Sequence, residues 1–322
     1  MGVMAGSRIR VIPLADESLG VRSMSLYVET DVVNILLDAG VSLAPKRYGL
    51  PPHPLEFKAL KEARNRILSY SKKADIITIS HYHLDHYTPG YTSWYEWSTP
   101  EMFREIYSDK VVLAKDISSK INFNQRRRGF ALRRELERIG SKLVFVDEKE
   151  YEVGDVKVGS STPFPHGPEG TKLGYVLIIT VSYHDEKIVY APDVQGPVSD
   201  KALRYITSKD PTLIIVGGPP LYLSGTKLSE KHVSKGLNNL KFLIKKYNLI
   251  LSHHLLRDIN WKRAFNKEEL QCVKLYSDFH GTNSCLLEAN RKLLYEAKPP
   301  SEDFLKWIAN VKHRREEPPP LS

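Results

Sequence analysis

Apolar positions along this chain follow two spacings. Short β-branched or aliphatic runs closed by Gly, Pro or Asp predict strands over residues 9–14, 25–29, 33–38, 76–79 and 111–114. The same pattern returns over 142–146, 151–153 and 156–160, with Val153-Gly154-Asp155 as a hairpin turn, and over 175–181 and 187–191 around His184-Asp185. Further strands are predicted at 213–216 and 249–252. Between them lie stretches of helical spacing. Residues 55–70 place Phe57, Leu60, Ala63, Ile67 and Leu68 on one face, and 228–247 read as a long helix. A basic helix begins at Arg126-Arg127-Arg128 and runs to Ile139. Helices are also expected over 265–276, 283–295 and 302–311, and 314–322 reads as a disordered tail.

Several predicted strands end in metal-ligand chemistry. The run Ile76-Ile77-Thr78-Ile79 leads into Ser80-His81-Tyr82-His83-Leu84-Asp85-His86. His-x-His at a strand end aims both imidazoles to one side, and Asp-His follows as the chain turns. A lone histidine is ordinarily structural or exposed, but three with an aspartate after a buried strand would leave several polar groups desolvated unless a cation held them. Imidazole and carboxylate suit a divalent transition metal, zinc foremost. Elsewhere Asp38 closes Leu36-Leu37-Asp38-Ala39-Gly40, His166 sits in Thr162-Pro163-Phe164-Pro165-His166-Gly167, and Asp193 closes Val189-Tyr190-Ala191-Pro192-Asp193. His253-His254 follow Leu249-Ile250-Leu251-Ser252 in the same strand-then-histidine design. Each of these is ambiguous alone. His53, His184, His232, His280 and His313 read as loop or surface residues.

His81-x-His83-x-Asp85-His86 resembles the signature of the metallo-β-lactamase superfamily, and the other motifs follow in that superfamily's order. The resemblance implies an α/β fold: a four-layer αββα sandwich of two mixed sheets flanked by helices, one domain over 1–313, with 87–140 as an inserted rim segment. It implies two divalent metal ions, zinc first and manganese or iron as alternatives. His81, His83 and His166 would hold one, Asp85, His86 and His253 the other, and Asp193 would bridge. Asp38 would lie beneath the metal loop and hold it by hydrogen bonds. Of the two adjacent histidines His253 is favoured as the ligand, leaving His254 beside it or assisting the leaving group. Asp85, Asp193 and His254 form the expected catalytic set. Asp193 follows Ala-Pro where the superfamily often has Ser-Gly, a departure in the backbone rather than the ligand. Tyr222 after Gly217-Gly218-Pro219-Pro220, together with Arg257 and Arg126, would line the substrate rim.

Composition narrows this only slightly. The 322 residues are 41% hydrophobic, enough for a sizeable core, and contain two cysteines, too few for a disulfide framework. No uninterrupted apolar run suits a membrane span and Arg8 and Arg10 interrupt any secretory leader, so a cytoplasmic protein is expected. Scarce glutamine amid abundant Lys, Arg, Glu and Tyr suggests a thermophilic, archaeal source. The net charge of +9 fits an anionic substrate without requiring one. Trp94, Tyr95, Trp97 and the run INFNQRRRGF could meet a nucleic acid, although core-covering aromatics and a solvated helix are favoured. The expected reaction is metal-activated hydrolysis of an ester-type or phosphodiester bond in a small-molecule or phosphodiester substrate. The alternatives are a ribonuclease or DNA phosphodiesterase, and a non-hydrolytic di-iron redox or metal-binding protein.

Overall fold

A computed structural model describes residues 7–311 and 316–321. The first sheet takes its strands in chain order: β1 (Arg10–Ala15), β2 (Ser25–Glu29), β3 (Ile35–Leu37), β4 (Ile76–Ile79), β5 (Val111–Ala114) and β6 (Lys142–Phe145). The first three pair antiparallel as a meander; β3 to β6 pair parallel, because helical crossovers separate them. Those crossovers hold α1 (Pro54–Ser71), α2 (Pro100–Tyr107) and α3 (Phe123–Arg138). β7 (Glu150–Val153) and β8 (Val156–Ser160) open the second sheet, and β9 (Phe164–Pro165) and β10 (Tyr175–Val176) form a small ribbon. β11 (Ile179–Tyr183), β12 (Glu186–Ala191), β13 (Leu213–Gly217), β14 (Leu249–Ser252) and β15 (Val273–Lys274) complete it, in the order β15-β14-β13-β12-β11-β8-β7. Helices α4 (Asp200–Ser208) and α5 (Glu230–Lys246) flank it, and α6 (Lys267–Gln271), α7 (Tyr276–Phe279), α8 (Arg291–Ala297) and α9 (Glu302–Ala309) follow.

Alternation within the strands builds the layers. Ile35 and Leu37 of β3 and Ile76 of β4 face Val158, Ile179, Ile188, Tyr190, Ile215 and Ile250 of the other sheet in a central core. Leu36, Ile77 and Ile79 point outward against Phe57, Leu60 and Ile67 of α1 and against α2, α3 and α9. Val189, Ala191, Ile214 and Val216 pack outward on Ala202, Ile206, Leu240 and Leu243 of α4 and α5. Three cores separate four layers, the expected αββα sandwich of two mixed sheets. No helix among the described residues is long and apolar enough to cross a membrane.

Three expectations need correction. Residues 87–140 are not an insertion, because they supply β5, hydrogen-bonded between β4 and β6. Helices over 265–276 and 283–295 shrink to α6, α7 and α8, with edge strand β15 in their midst. Here tertiary partners outcompete propensity: Cys285 N–H donates to the Ser18 carbonyl (2.7 Å), and Glu288 receives Arg22 through two 2.6 Å contacts. Residues 316–321 of the expected tail lie on the body: Trp307 Nε1 donates to the Glu317 carbonyl (3.0 Å) and Leu321 packs against the outer core. His313, Arg314, Arg315 and Ser322 lie outside the described residues.

The Arg22–Glu288 pair generates a stability prediction. Burial works to raise the Glu288 carboxyl, but Arg22, then Arg257 and Arg291, outweigh it and hold it down to about 2. A carboxyl depressed in the folded state adds stability fully present above its ordinary value of 4.5 and lost as pH falls toward 2. The contribution at neutral pH is on the order of 3 kcal/mol. Urea unfolding at stepped pH should show Glu288→Gln less stable than wild type at neutrality, the gap closing across that acid window.

Candidate metal centre

The strand ends of both sheets open at one edge of the sandwich, and there three residues leave their strands in the left-handed region: Asp38 (φ 52°) after β3, Asp193 (φ 53°) after β12 and His253 (φ 67°) after β14. Asp and His tolerate this conformation better than most side chains. The sharp exits turn their side chains inward instead of continuing the pleat.

Asp193 is the meeting point, 1% exposed. Its Oδ2 lies 3.0 Å from Nε2 of each of His81, His86 and His166, and its Oδ1 lies 2.9 Å from His253 Nε2 and 2.8 Å from His254 Nε2. Yet His81 Nε2, His86 Nε2, His254 Nε2 and Asp193 Oδ1 are buried without an aligned hydrogen-bond partner. Atoms this close but aimed past one another suit a cation between them better than mutual hydrogen bonds. Two groups of ligand atoms lie mutually within 4.8 Å: His81, His83, His166 and Asp193, and Asp85, His86 and His253. Asp193 also groups with His253 and His254, and Asp38 with His81 and His86.

Outer partners decide which nitrogen faces inward. Asp38 Oδ2 receives His86 Nδ1 (2.7 Å) and the Tyr190 hydroxyl (3.0 Å), and its oxygens also take Ser80 N–H (2.8 Å) and Ser80 Oγ. With four donors on it, Asp38 orients His86 and has little capacity left for a metal. Glu17, on the turn after β1, receives His253 Nδ1 (3.2 Å) and Arg257 Nε (2.7 Å). Asp16 beside it caps that turn through Ser18 N–H (2.9 Å) and accepts from Ser252 Oγ (2.9 Å). Carboxylate–histidine pairs of this kind fix the tautomer that presents Nε2.

Charge balance points the same way. Burial, then neighbouring His86, lowers His81 to about 4, and burial likewise holds His83 and His254 well below the ordinary imidazole value. Burial also works against charge on His86 and His253, but Asp193 with Asp38 and Asp85 lifts the first well above normal, and Asp193 with Glu17 lifts the second to about 9. Asp193 and Asp85 stay well below the carboxyl range, because surrounding imidazoles outweigh burial. Without a cation, protons on His86 and His253 supply the positive charge that these carboxylates demand. The donor set fits divalent metal.

The structure thus brings together Asp38, His81, His83, Asp85, His86, His166, Asp193, His253 and His254. Arg257, expected at the rim, is buried (3% exposed), with Nη2 3.4 Å from Asp85 Oδ2 and Nη1 3.1 Å from His254 Nδ1. Tyr222 lies outside this cluster, under the Arg47 guanidinium at 4.2 Å. Arg126 is turned to solvent and donates to the Ser118 carbonyl (3.0 Å); its neighbour Gln125 is the residue that reaches the cluster, Nε2 3.3 Å from His83 Nε2. Reading the sequence missed Glu17, Asp16 and Gln125. An acidic pair closing a strand at 16–17 repeats the signal seen at Asp38, so Glu17 was open to detection.

Packing beneath the loop is as tight as its hydrogen bonding. A Cβ on Gly40 would stand 2.1 Å from Tyr87 N and 2.4 Å from the His86 backbone, and no flexible side chain is there to yield. Gly40→Ala should therefore displace His86 and sharply reduce bound metal, read by metal analysis of purified protein, while Gly140→Ala, which meets nothing within 4 Å and bears only the local strain of a side chain at φ 74°, should retain it.

Comparison with known proteins follows this geometry. A family model described as a beta-lactamase superfamily domain matches residues 22–238. A UPF0282 protein of Methanopyrus kandleri is 44% identical over 286 residues, covering 88% of this chain and 98% of its own, and one from Pyrobaculum arsenaticum is 41% identical over 299 residues, covering 90% and 95%. Among solved structures, the metallo-beta-lactamase fold protein YhfI from Bacillus subtilis aligns at TM-score 0.49 and 11% identity, over 83% of this chain and 95% of that one.

Proposed function

We propose that this chain, which belongs to the beta-lactamase superfamily and within it to the UPF0282 proteins, is a cytoplasmic metal-dependent hydrolase with two divalent ions, zinc foremost. The observation that carries this reading is Asp193, whose carboxylate lies within 3.0 Å of five imidazole nitrogens, while two ligand groups, His81/His83/His166/Asp193 and Asp85/His86/His253, each gather their atoms within 4.8 Å of one another around it. His81, His83 and His166 would hold one ion, Asp85, His86 and His253 the other, with Asp193 shared. Bound there, such ions would acidify a water to act near neutral pH and polarise an ester-type or phosphodiester group.

The remaining work falls to the chain. Asp38 and Glu17 keep His86 and His253 turned so that Nε2 faces inward. His254 has a different role. Its Nδ1 lies 3.1 Å from Arg257 Nη1, which can only donate, so the neutral ring carries its proton on Nε2. A protonated Nε2 cannot ligate, but it can donate to substrate or hand its proton to a leaving oxygen. Arg257 Nη2 sits 3.2 Å from both ring nitrogens of His253, a position beside the ring rather than on either lone pair, so His253 Nε2 stays free to ligate.

Metal analysis of protein purified without added metal, with turnover of bis-p-nitrophenyl phosphate and of a carboxylic-ester panel, tests the reading. Roughly two divalent ions per chain are expected. His83→Ala and Asp193→Ala should lose turnover, and His253→Ala should lose metal. His254→Ala should keep metal while turnover falls about 100-fold or more. A chain that binds no metal even after reconstitution overturns the proposal, and His254→Ala losing metal as His253→Ala does overturns the division between them.

A further inference from the structure

Helix α3 carries a face that neither the core nor the metal centre uses. Phe123 and Phe130 are 77% and 52% exposed. With Arg127 and Arg134 they occupy positions i, i+4, i+7 and i+11, which recur on one side of a helix. The opposite side carries the buried residues Gln125, Gly129, Leu132 and Leu136. Phe-Arg-Phe-Arg therefore runs as a single line along the solvent face. A groove of about 540 Å³ lies on it, lined by Arg127, Phe130, Ala131, Arg133, Arg134 and Glu137.

The charge along this helix is one-sided. Residues 123–138 hold six arginines against two glutamates, a net of +4. Both glutamates are already engaged, Glu137 by Arg133 (2.6 Å) and Glu135 by Arg138 (3.2 Å). Among the described residues no carboxylate pairs with Arg126 or Arg127. The aromatics also divide by place: Trp94 and Trp97 are buried in the outer core, as expected, whereas the phenylalanines within INFNQRRRGF are not.

The line begins where the helix meets the metal centre. Gln125 Nε2 reaches His83 and donates to the Leu173 carbonyl (2.8 Å), and Asn122 Nδ2 donates to the Lys172 carbonyl (3.0 Å). Leu173 itself is 44% exposed, and Lys120, just before the helix N-cap Asn122, donates to Thr162 Oγ1 (3.0 Å). Apolar and cationic groups thus continue from the helix face around its N-terminal turn to the edge of the site.

We infer that this stripe holds single-stranded nucleic acid, whose backbone then reaches the metal centre over the first turn of α3. The inference rests on reading the centre as a hydrolase and narrows its substrate to a phosphodiester polymer. Guanidinium groups match phosphates, and exposed phenyl faces match bases that no partner strand has stacked away. A duplex offers no open base faces to Phe123 and Phe130. An anionic lipid surface would also meet Arg and Phe, but the stripe starts on the helix turn whose Gln125 reaches His83, so its occupant must extend to a buried centre, which suits a flexible strand better than a plane.

Fluorescence anisotropy with a fluorescein-labelled oligouridylate dodecamer on the metal-loaded protein tests this. Phe130→Ala should weaken binding about tenfold and Phe123→Ala/Phe130→Ala further, while Phe130→Trp should retain it, since only a ring is required. Arg127→Ala should reduce the salt dependence of binding by about one phosphate contact. All should keep their metal and their turnover of bis-p-nitrophenyl phosphate, so failure of the stripe stays distinct from failure of the hydrolase reading. Equal affinity of wild type and the double variant overturns the inference, as does tighter binding of a duplex of the same length. Loss of binding to phosphatidylserine vesicles with unchanged dodecamer affinity overturns it in favour of a membrane contact.

Discussion

A carboxylate removed from water and ringed by imidazoles sets the terms for the rest of this molecule. Asp193 cannot be neutralised cheaply where it sits, and its neighbours cannot all be protonated without repelling one another. Something positive has to be shared among them. The donors come from four separate chain segments: 81–86, 166, 193 and 253–254. The fold that presents them must therefore bring the ends of strands from two sheets to one edge, as the sandwich does.

Holding donors in place demands a further ring of groups that never touch a metal. Asp38 and Glu17 do this by hydrogen bonds, and Arg64 does it by filling space with donors. Its guanidinium, fully buried on α1, donates to the carbonyls of Ala39, Glu96 and Trp97 and to Thr88 Oγ1, clasping both the turn after Asp38 and the exit of the histidine loop. Burial lowers its pKa only to about 10, so it remains charged at neutral pH. A cation without a paired carboxylate is tolerable here because several carbonyl dipoles converge on it. The loop's rigidity thus comes from α1 as much as from its own sequence.

What the sequence made legible was whatever local rules decide. Period-two alternation exposed the strands, and the dense run from His81 to His86 stood out by itself, whereas Asp38, His166, Asp193 and His253 took their roles only through the resemblance to the metallo-β-lactamase superfamily. What stayed hidden was decided by distant partners. Glu17 matters because His253 and Arg257, more than 230 positions later, fold onto it. Arg257 read as a rim residue because nothing near it in sequence announces the buried Glu17 and the half-buried Asp85 that it meets. Residues 283–290 carry helical spacing but spend their backbone and side chains on Ser18 and Arg22, contacts that no window of local sequence contains.

These long-range dependencies say how the site can come into being. The 76–86 segment supplies most of the donors, yet His253 is oriented by Glu17 from the turn after the first strand and reaches the cluster only once β14 has been laid beside β13. The matched family region, residues 22–238, leaves both Glu17 and His253 outside it, whereas the UPF0282 relatives align over nearly the whole chain. Most of the donors, His81 to His86, His166 and Asp193, lie within the matched region. Placing His253 and His254 requires the two ends of the chain to have met, with Arg257 packed between Glu17, Asp85 and His254. A single buried guanidinium thus couples closure of the chain to placement of the donor at His254, because Arg257 on Nδ1 and Asp193 Oδ1 beside Nε2 together favour the proton on Nε2.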